Sequence, residues 1–298
     1  MNIEAISSAA TVALACTTVF VLAAKFWQLL TRSLFSSPNF SDCIMRESAQ
    51  RFRDELDQLS HTQATYLGAG LVFALIFGVA HTLQAQQLFA GYPTWQLNIV
   101  IGTLGAAAAF GLYRLGRTTY SWRRVKFLRD ANVAVGHQLQ CLISGYGRVY
   151  HDIPTSAGVI DHVIVGQSGI YAVNVIARRR ARKGKVRLRE NHLLFIPSGA
   201  KLSIVDIKAK TTRLERDFGN LLGHAVRVRS VIAVPGWQIT GQSEGHLVVN
   251  ESTLPMLSGW KDQADYLLNE DVDVLQNRLT SHCKRSAGYS VKPVLRAA

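Results

Sequence analysis

Charge is missing from long parts of this chain. Residues 66–92 contain no Asp, Glu, Lys or Arg, residues 95–113 contain none either, and in residues 9–30 the only charge is Lys25. A helix lying on a globular surface keeps a polar face toward water. These stretches have none, and each is close to the ~20 residues that a helix needs to cross the apolar core of a bilayer. Cysteine is scarce as well. Cys16, Cys43, Cys141 and Cys283 stand far apart, with no C-x-x-C pair and no zinc-ligand spacing to histidine, which excludes a zinc module of the usual kind. Reduced structural thiols in a reducing compartment are the expectation. No glycine-rich phosphate loop, G-x-S-x-G elbow or H-E-x-x-H pair occurs, so P-loop, serine-hydrolase and zincin chemistry are excluded.

What is present divides in two. Residues 1–113 hold five Lys/Arg and six acids, and residues 114–298 hold the other 28 Lys/Arg and 14 acids, so all of the net +13 charge belongs to the second part. The first part predicts a membrane region over 1–120 with three transmembrane helices, about 9–30, 66–90 and 95–113, and a loop 31–65. Its first apolar stretch lacks the positive flank of a signal peptide, because Glu4 is the only charge before it. Gly91-Tyr92-Pro93-Thr94 reads as a tight turn that makes a hairpin of the second and third helices. Gly68, Gly70, Gly78, Gly102 and Gly105 would let helices approach closely. Arg32, Arg46, Arg51 and Arg53 lie in the loop, and Arg114, Arg117, Arg123, Arg124, Lys126 and Arg129 follow the third stretch. The excess of basic residues on cytoplasmic loops places 31–65 and everything after 114 in the cytoplasm and the N-terminus outside, as for a multi-pass protein of a bacterial-type inner membrane. Phe52, Leu56 and Leu59 recur at helical spacing and predict an amphipathic helix leading into the second span.

The second part predicts one α/β domain over 121–285 and a weakly ordered tail over 286–298. Residues 122–143 carry apolar side chains at helical spacing, and Gly145-Tyr146-Gly147 ends them. Strands are expected at 148–153 and 192–196, in the β-branched run 229–234 before Pro235-Gly236, and at 246–250. Helices are expected over 202–222 and 262–279. This order suits an α/β sandwich around a mixed sheet. At its centre two strand-like runs, Val-Ile-Asp-His-Val-Ile-Val-Gly and Gly-Ile-Tyr-Ala-Val-Asn-Val-Ile, flank the turn signal Gln167-Ser168-Gly169. Asp161, His162 and Asn174 lie inside these apolar runs.

The pattern Val-Tyr-His-Asp-Ile, followed by Ile-Asp-His-Val-Ile-Val-Gly and Ser-Gly-Ile-Tyr-Ala-Val, resembles the nuclease-related domain family, NERD, over about 133–250. That family is similar to the PD-(D/E)xK restriction-endonuclease fold, so the resemblance implies a mixed-sheet α/β/α domain. In the family one strand carries Asp in an Ile-Asp-His context, the next ends in Glu-x-Lys, and an earlier helix carries a Glu after a Gly-x pair. Here Asp161 matches the first acid. Asn174 stands where the Glu is expected, Ile176 where the Lys is expected, and Gln138 at the helical Glu.

Phosphodiester cleavage by this fold needs Mg²⁺ held by at least two carboxylates, and a Lys near the attacking water. Asn is a poor ligand for a hard cation, and Ile can neither steer nor deprotonate water. The resemblance therefore implies a degenerate nuclease with no metal and no cofactor. Asp161 reads as a buried acid bonded to neighbouring backbone ahead of a metal ligand. An active Mg²⁺-dependent endonuclease is the first alternative, with Asp152 or Glu190 replacing the lost acids. A membrane-associated module for protein interaction or anionic lipid is the second. Asp206-Ile207-Lys208 mimics a D-x-K triplet by chance, in a helix start. His137, His151 and His162 read as structural. Arg178, Arg179, Arg180, Arg182, Lys183, Lys185, Arg187 and Arg189 place eight cations in twelve residues without an acid. Such a run expects a polyanion, either the phosphates of DNA or RNA or anionic lipid headgroups; a solvated loop is the other reading.

Overall fold

A computed structural model describes residues 3–34, 46–82, 94–143, 147–179, 184–241, 245–258 and 265–285. The turn at 91–93, Gly145-Tyr146, the tail 286–298 and the cations Arg180, Arg182 and Lys183 lie outside the described residues. The chain forms two compact units. One comprises Met1–Asn39 with Glu55–Val125, and the other comprises Phe40–Asp54 with Lys126–Ala298.

The first unit contains α1 (Ile3–Leu34), most of α2 (Gln50–Thr82) and the first part of α3 (Thr94–Leu142). Among the described residues two stretches are long and apolar enough to cross a membrane, Ala9–Trp27 with mean hydropathy 1.8 and Gln50–Ala80 with 1.7. The expectation of three separate spans is corrected to two candidates. The third stretch is helical, but it is the start of a helix of 49 residues that continues through the basic segment after Tyr113. Gln96 and Asn98 put amides into that stretch, and Gly102, Gly105 and Gly111 put bare backbone there. Large apolar side chains point outward from this unit. Leu67, Leu71, Leu75 and Val79 form a stripe along α2 and are each more than half exposed. Small residues face inward. Ala9 and Ala80 are buried against each other beside Val12 and Phe77. Apolar exteriors with small residues at the helix contacts suit lipid surroundings and not water.

In the second unit a five-stranded mixed sheet has the order β1-β2-β3-β7-β9. Its strands are β1 (Arg148–Thr155), β2 (Gly158–Gly166), β3 (Gly169–Val175), β7 (Val228–Ala233) and β9 (His246–Val249). β1, β2 and β3 are antiparallel hairpin neighbours, while β7 pairs in parallel with β3 and β9. β2 is buried from Ile160 to Gly166, as expected for a strand covered on both faces. The C-terminal part of α3 covers one face, where Val135 and Leu139 pack on Ile164, Tyr171 and Val173. α4 (Val205–Leu222) and α5 (Asn269–Arg285) cover the other, where Leu214, Phe218, Leu275 and Leu279 meet Ile160, Val163 and Ala172. α4 closes on Gly223, whose φ of 78° lets its N–H reach the Gly219 carbonyl at 2.9 Å.

A second sheet was not expected. It has the order β6-β5-β4-β8, with β4 (Lys185–Arg189), β5 (His192–Ile196), β6 (Ala200–Ser203) and β8 (Gln238–Ile239). The expected helix over 202–222 starts only at Val205, because 200–203 pair with β5. The last helix begins at Asn269, later than its expected start at 262; residues 262–264 lie outside the described residues.

Candidate nuclease-like site and cationic sheet face

Asp161 sits in the middle of β2 and is 6% exposed. The β1–β2 ladder pairs His151 with His162 and Ile153 with Ile160. Asp152 and Asp161 lie between these pairs, on neighbouring strands. Asp152 is buried too and holds a left-handed backbone at φ 52°, a strained conformation for a residue other than glycine. One Asp161 oxygen accepts the Val175 N–H at 2.7 Å, just past the point where β2 and β3 stop pairing. The other accepts the Arg51 guanidinium at 2.5 Å. The same guanidinium lies 3.7 Å from Asp152, and the Arg51 N–H donates to the second Asp152 oxygen at 3.2 Å. Burial pushes the Asp152 carboxyl up, and Arg51 pulls it back down.

Arg51 is fixed by the segment that carries it. The Arg46 guanidinium donates to the Asp152 carbonyl at 3.3 Å, and the Ser48 hydroxyl to the Asn132 carbonyl at 3.0 Å. Ala49 and Phe52 are buried. A Cβ on Gly136 would stand 2.3 Å from the Ser48 hydroxyl and 3.2 Å from the His162 ring, so the glycine opens the room that this segment occupies. Beside the acids, His151 and His162 share a hydrogen bond between their Nδ1 atoms at 2.8 Å, with the rings edge to face. Gln140 contacts the far nitrogen of His151 at 3.1 Å. Burial lowers His151 to about 4 and His162 to about 3, the latter helped by His151 and Arg51. Both rings are therefore neutral near pH 7.

The other family positions do not complete a metal site. Asn174 is 4% exposed, pairs across β3–β7 with Ile232, and its amide nitrogen has no hydrogen-bond partner among the described residues. Ile176 donates its N–H to the Ala233 carbonyl at 2.8 Å, and its side chain packs on the cluster of Val186, Phe195 and Trp237. Gln138 is half-buried on α3, beside the stripe Asn132, Val135, Gly136 and Leu139 that packs on the sheet. Glu190 is an exposed turn residue between β4 and β5, and His137 is exposed on α3. Asp206 lies in the first turn of α4. Among the described residues no three His, Cys, Asp or Glu converge on a point that could hold a metal ion. A divalent cation fits this donor set poorly, since a guanidinium already takes the space shared by Asp152 and Asp161.

The end of the cationic run is a strand, with Lys185, Arg187 and Arg189 in β4, while Arg178 and Arg179 lie before it outside any strand. In β4 exposure alternates, so Val186 and Leu188 are buried while Lys185, Arg187 and Arg189 face out. Register adds to this face, since Arg189 pairs with His192 and Arg187 with Leu194, which in turn pairs with Lys201. The outer side of the second sheet thus carries Lys185, Arg187, Arg189, His192 and Lys201, and strands β4, β5, β6 and β8 contain no Asp or Glu. Arg178 is engaged elsewhere. Its carbonyl accepts the Trp237 indole N–H at 2.9 Å, and its guanidinium lies 4.9 Å from the Phe195 ring centre. Arg179 is exposed.

Arg51 is the participant that sequence reasoning missed. It lies about a hundred residues before the acid it contacts, and the sequence marks it only as one of four basic residues in a loop. Asp152 carried a weak signal, as a charged residue inside a strand pattern directly after a histidine. No curated protein and no solved structure matches the chain. The stretch that carries β1 through β7, with Asp152, Asp161 and Asn174 in it, does match: residues 129–235 fit the family model of NERD, the nuclease-related domain.

Proposed function

We propose that the NERD-like domain binds a phosphate-bearing polyanion on the outer face of its second sheet and does not cleave it. The observation that carries this reading is the set of five basic or potentially basic side chains on one sheet face whose strands contain no acid. Like charges so arranged repel one another unless an anion lies over them. Changing Lys185, Arg187 and Arg189 together to Ala should weaken binding to DNA or RNA and flatten its salt dependence, by roughly 0.9 counterion per lost phosphate contact on a duplex. Vesicles with and without anionic lipid, tested with the same variant, separate headgroups from nucleic acid as the source of the phosphate. Unchanged affinity for both would leave the face merely solvated.

The site's composition supports the absence of cleavage. Asn174 and Ile176 supply neither charge nor proton transfer, and Asp161 is bound to Arg51 and to the backbone. Phosphodiester hydrolysis by the full chain in Mg²⁺ or Mn²⁺ should stay at background, and Asp161→Asn should change stability only. A metal-dependent cleavage that Asp161→Asn abolishes would promote the active-nuclease alternative. The two candidate membrane helices and the lipid-like exterior of the first unit support anchoring in a membrane. The basic residues after Tyr113 support a cytoplasmic domain. A reporter fused near residue 130 should then report cytoplasm, and an external signal would reverse the orientation.

A further inference from the structure

We propose that Arg51 is the resident cation of the Asp152–Asp161 pair: it fastens residues 46–54 into the place where a nuclease of this kind would carry its divalent ion, and so holds the site shut. The inference rests on the reading that the site is degenerate, but concerns what now fills it.

Two carboxylates buried side by side, at 2% and 6% exposure, repel each other unless a cation lies between them. Arg51 meets this need at both acids. Its guanidinium reaches Asp161 at 2.5 Å and approaches Asp152 to 3.7 Å, while its own N–H bonds Asp152 at 3.2 Å. The surroundings are shaped for this segment and not for an ion alone. Arg46 bonds the Asp152 carbonyl, Ser48 bonds the Asn132 carbonyl, and Gly136 leaves the Ser48 hydroxyl its room. Asp152 itself is held in a left-handed conformation that turns its carboxylate to the Arg51 backbone. The latch is not sealed, because the Arg51 side chain is 24% exposed. A divalent cation is the natural competitor, since it would satisfy the same two carboxylates with twice the charge.

The test uses the full chain in detergent micelles and Mn²⁺ as the probe. Wild type should show no saturable Mn²⁺ binding up to millimolar concentration. Arg51→Met keeps the side-chain stem, removes the charge and should gain a site at least tenfold tighter, and this gain should vanish in Arg51→Met with Asp161→Asn. Wild type binding Mn²⁺ as tightly as Arg51→Met, or a folded Arg51→Met that binds none, would overturn the proposal. A second measurement covers the case in which Arg51→Met does not fold. In Asp152→Asn with Asp161→Asn, hydrogen exchange of the amides at 46–54 should accelerate at least tenfold while β3 and β7 stay protected. Unchanged protection of 46–54 would also overturn it. Polyanion affinity should be the same in all these variants, because none touches the second sheet. Loss of the latch and loss of the polyanion reading are therefore separate results.

Discussion

Asp265→Ala should destabilise the second unit by about 3–5 kcal/mol, the cost of leaving a buried charge without its partner. Arg229 on β7 and Asp265, just ahead of α5, have side chains only 5% and 1% exposed, and Arg229 grips one Asp265 oxygen through both Nε and Nη2. Arg227 adds a weaker contact at 4.0 Å from its exposed position. With the carboxylate gone, the Arg229 guanidinium is stranded in the interior of the sheet, and the turn before α5 loses its tie. A Cβ on Gly169 would stand 3.2 Å from the Asp265 carbonyl, so the same turn also presses on the β2–β3 hairpin. Chemical denaturation of the full chain, followed by a signal from the sheet domain, reads the loss. Arg229→Met combined with Asp265→Leu should recover much of it, since an apolar pair of similar size leaves no charge behind. A cost under about 1 kcal/mol for Asp265→Ala would mean that water reaches the pair, as at a surface ion pair.

Acid should undo the same domain through its histidines. In the unfolded chain each imidazole titrates near 6.5, whereas burial holds His151 to about 4 and His162 to about 3 in the folded domain. Between these values the unfolded state binds protons that the folded state refuses. Stability is therefore full above about pH 6.5 and falls as the pH drops, by up to roughly 1.4 kcal/mol per unit for each histidine. Asp152 works in the opposite sense, because its raised carboxyl takes up a proton in the folded state first, in a window that lies above the ordinary value of 3.8. The histidine loss runs from about pH 6.5 down to about pH 4 and is steepest near pH 5. Melting temperatures measured across that range should fall, and the slope should halve in a variant that replaces His151 by Gln. A flat profile between about pH 7 and 5 would show that protonated imidazole is tolerated at this place in the sheet.

Period and punctuation in the sequence locate the five-stranded sheet well. The β2–β3 hairpin is announced by two β-branched runs around Gln167-Ser168-Gly169, and β7 by the run before Pro235-Gly236. These are local signals, and the structure keeps them. The second sheet was illegible because its evidence is shared among distant segments. β4 looks like a charge run, β6 looks like the first turn of a helix, and β8 has two residues. β4 and β6 become strands because β5 offers each a pairing edge, and β8 because β4 offers it the next one. The residues of the candidate site divide in the same way between local and distant signals. Asp161, Asn174 and Ile176 stand at motif spacing around one hairpin. Arg51 belongs to no motif and reaches Asp161 only through the fold. The His151–His162 contact is a matter of strand register, which the sequence leaves open until the hairpin turn at Ser156-Ala157 fixes it.

The docking of residues 46–54 sets a parity rule. Asp54 and Lys126 belong to the same unit, with Arg51 bound to Asp161. Both ends of 55–125 must then share one side of any bilayer. A chain that leaves and returns crosses an even number of times, so α2 cannot be a lone crossing. Either it stays on one side, or the chain recrosses before Lys126. Hydropathy, which weighs each helix alone, misses this coupling. If α1 crosses, both cases give an odd total, one or three. A tag before Ile3 and a tag after Ala298 should then be reached from opposite faces of the membrane, whichever case holds.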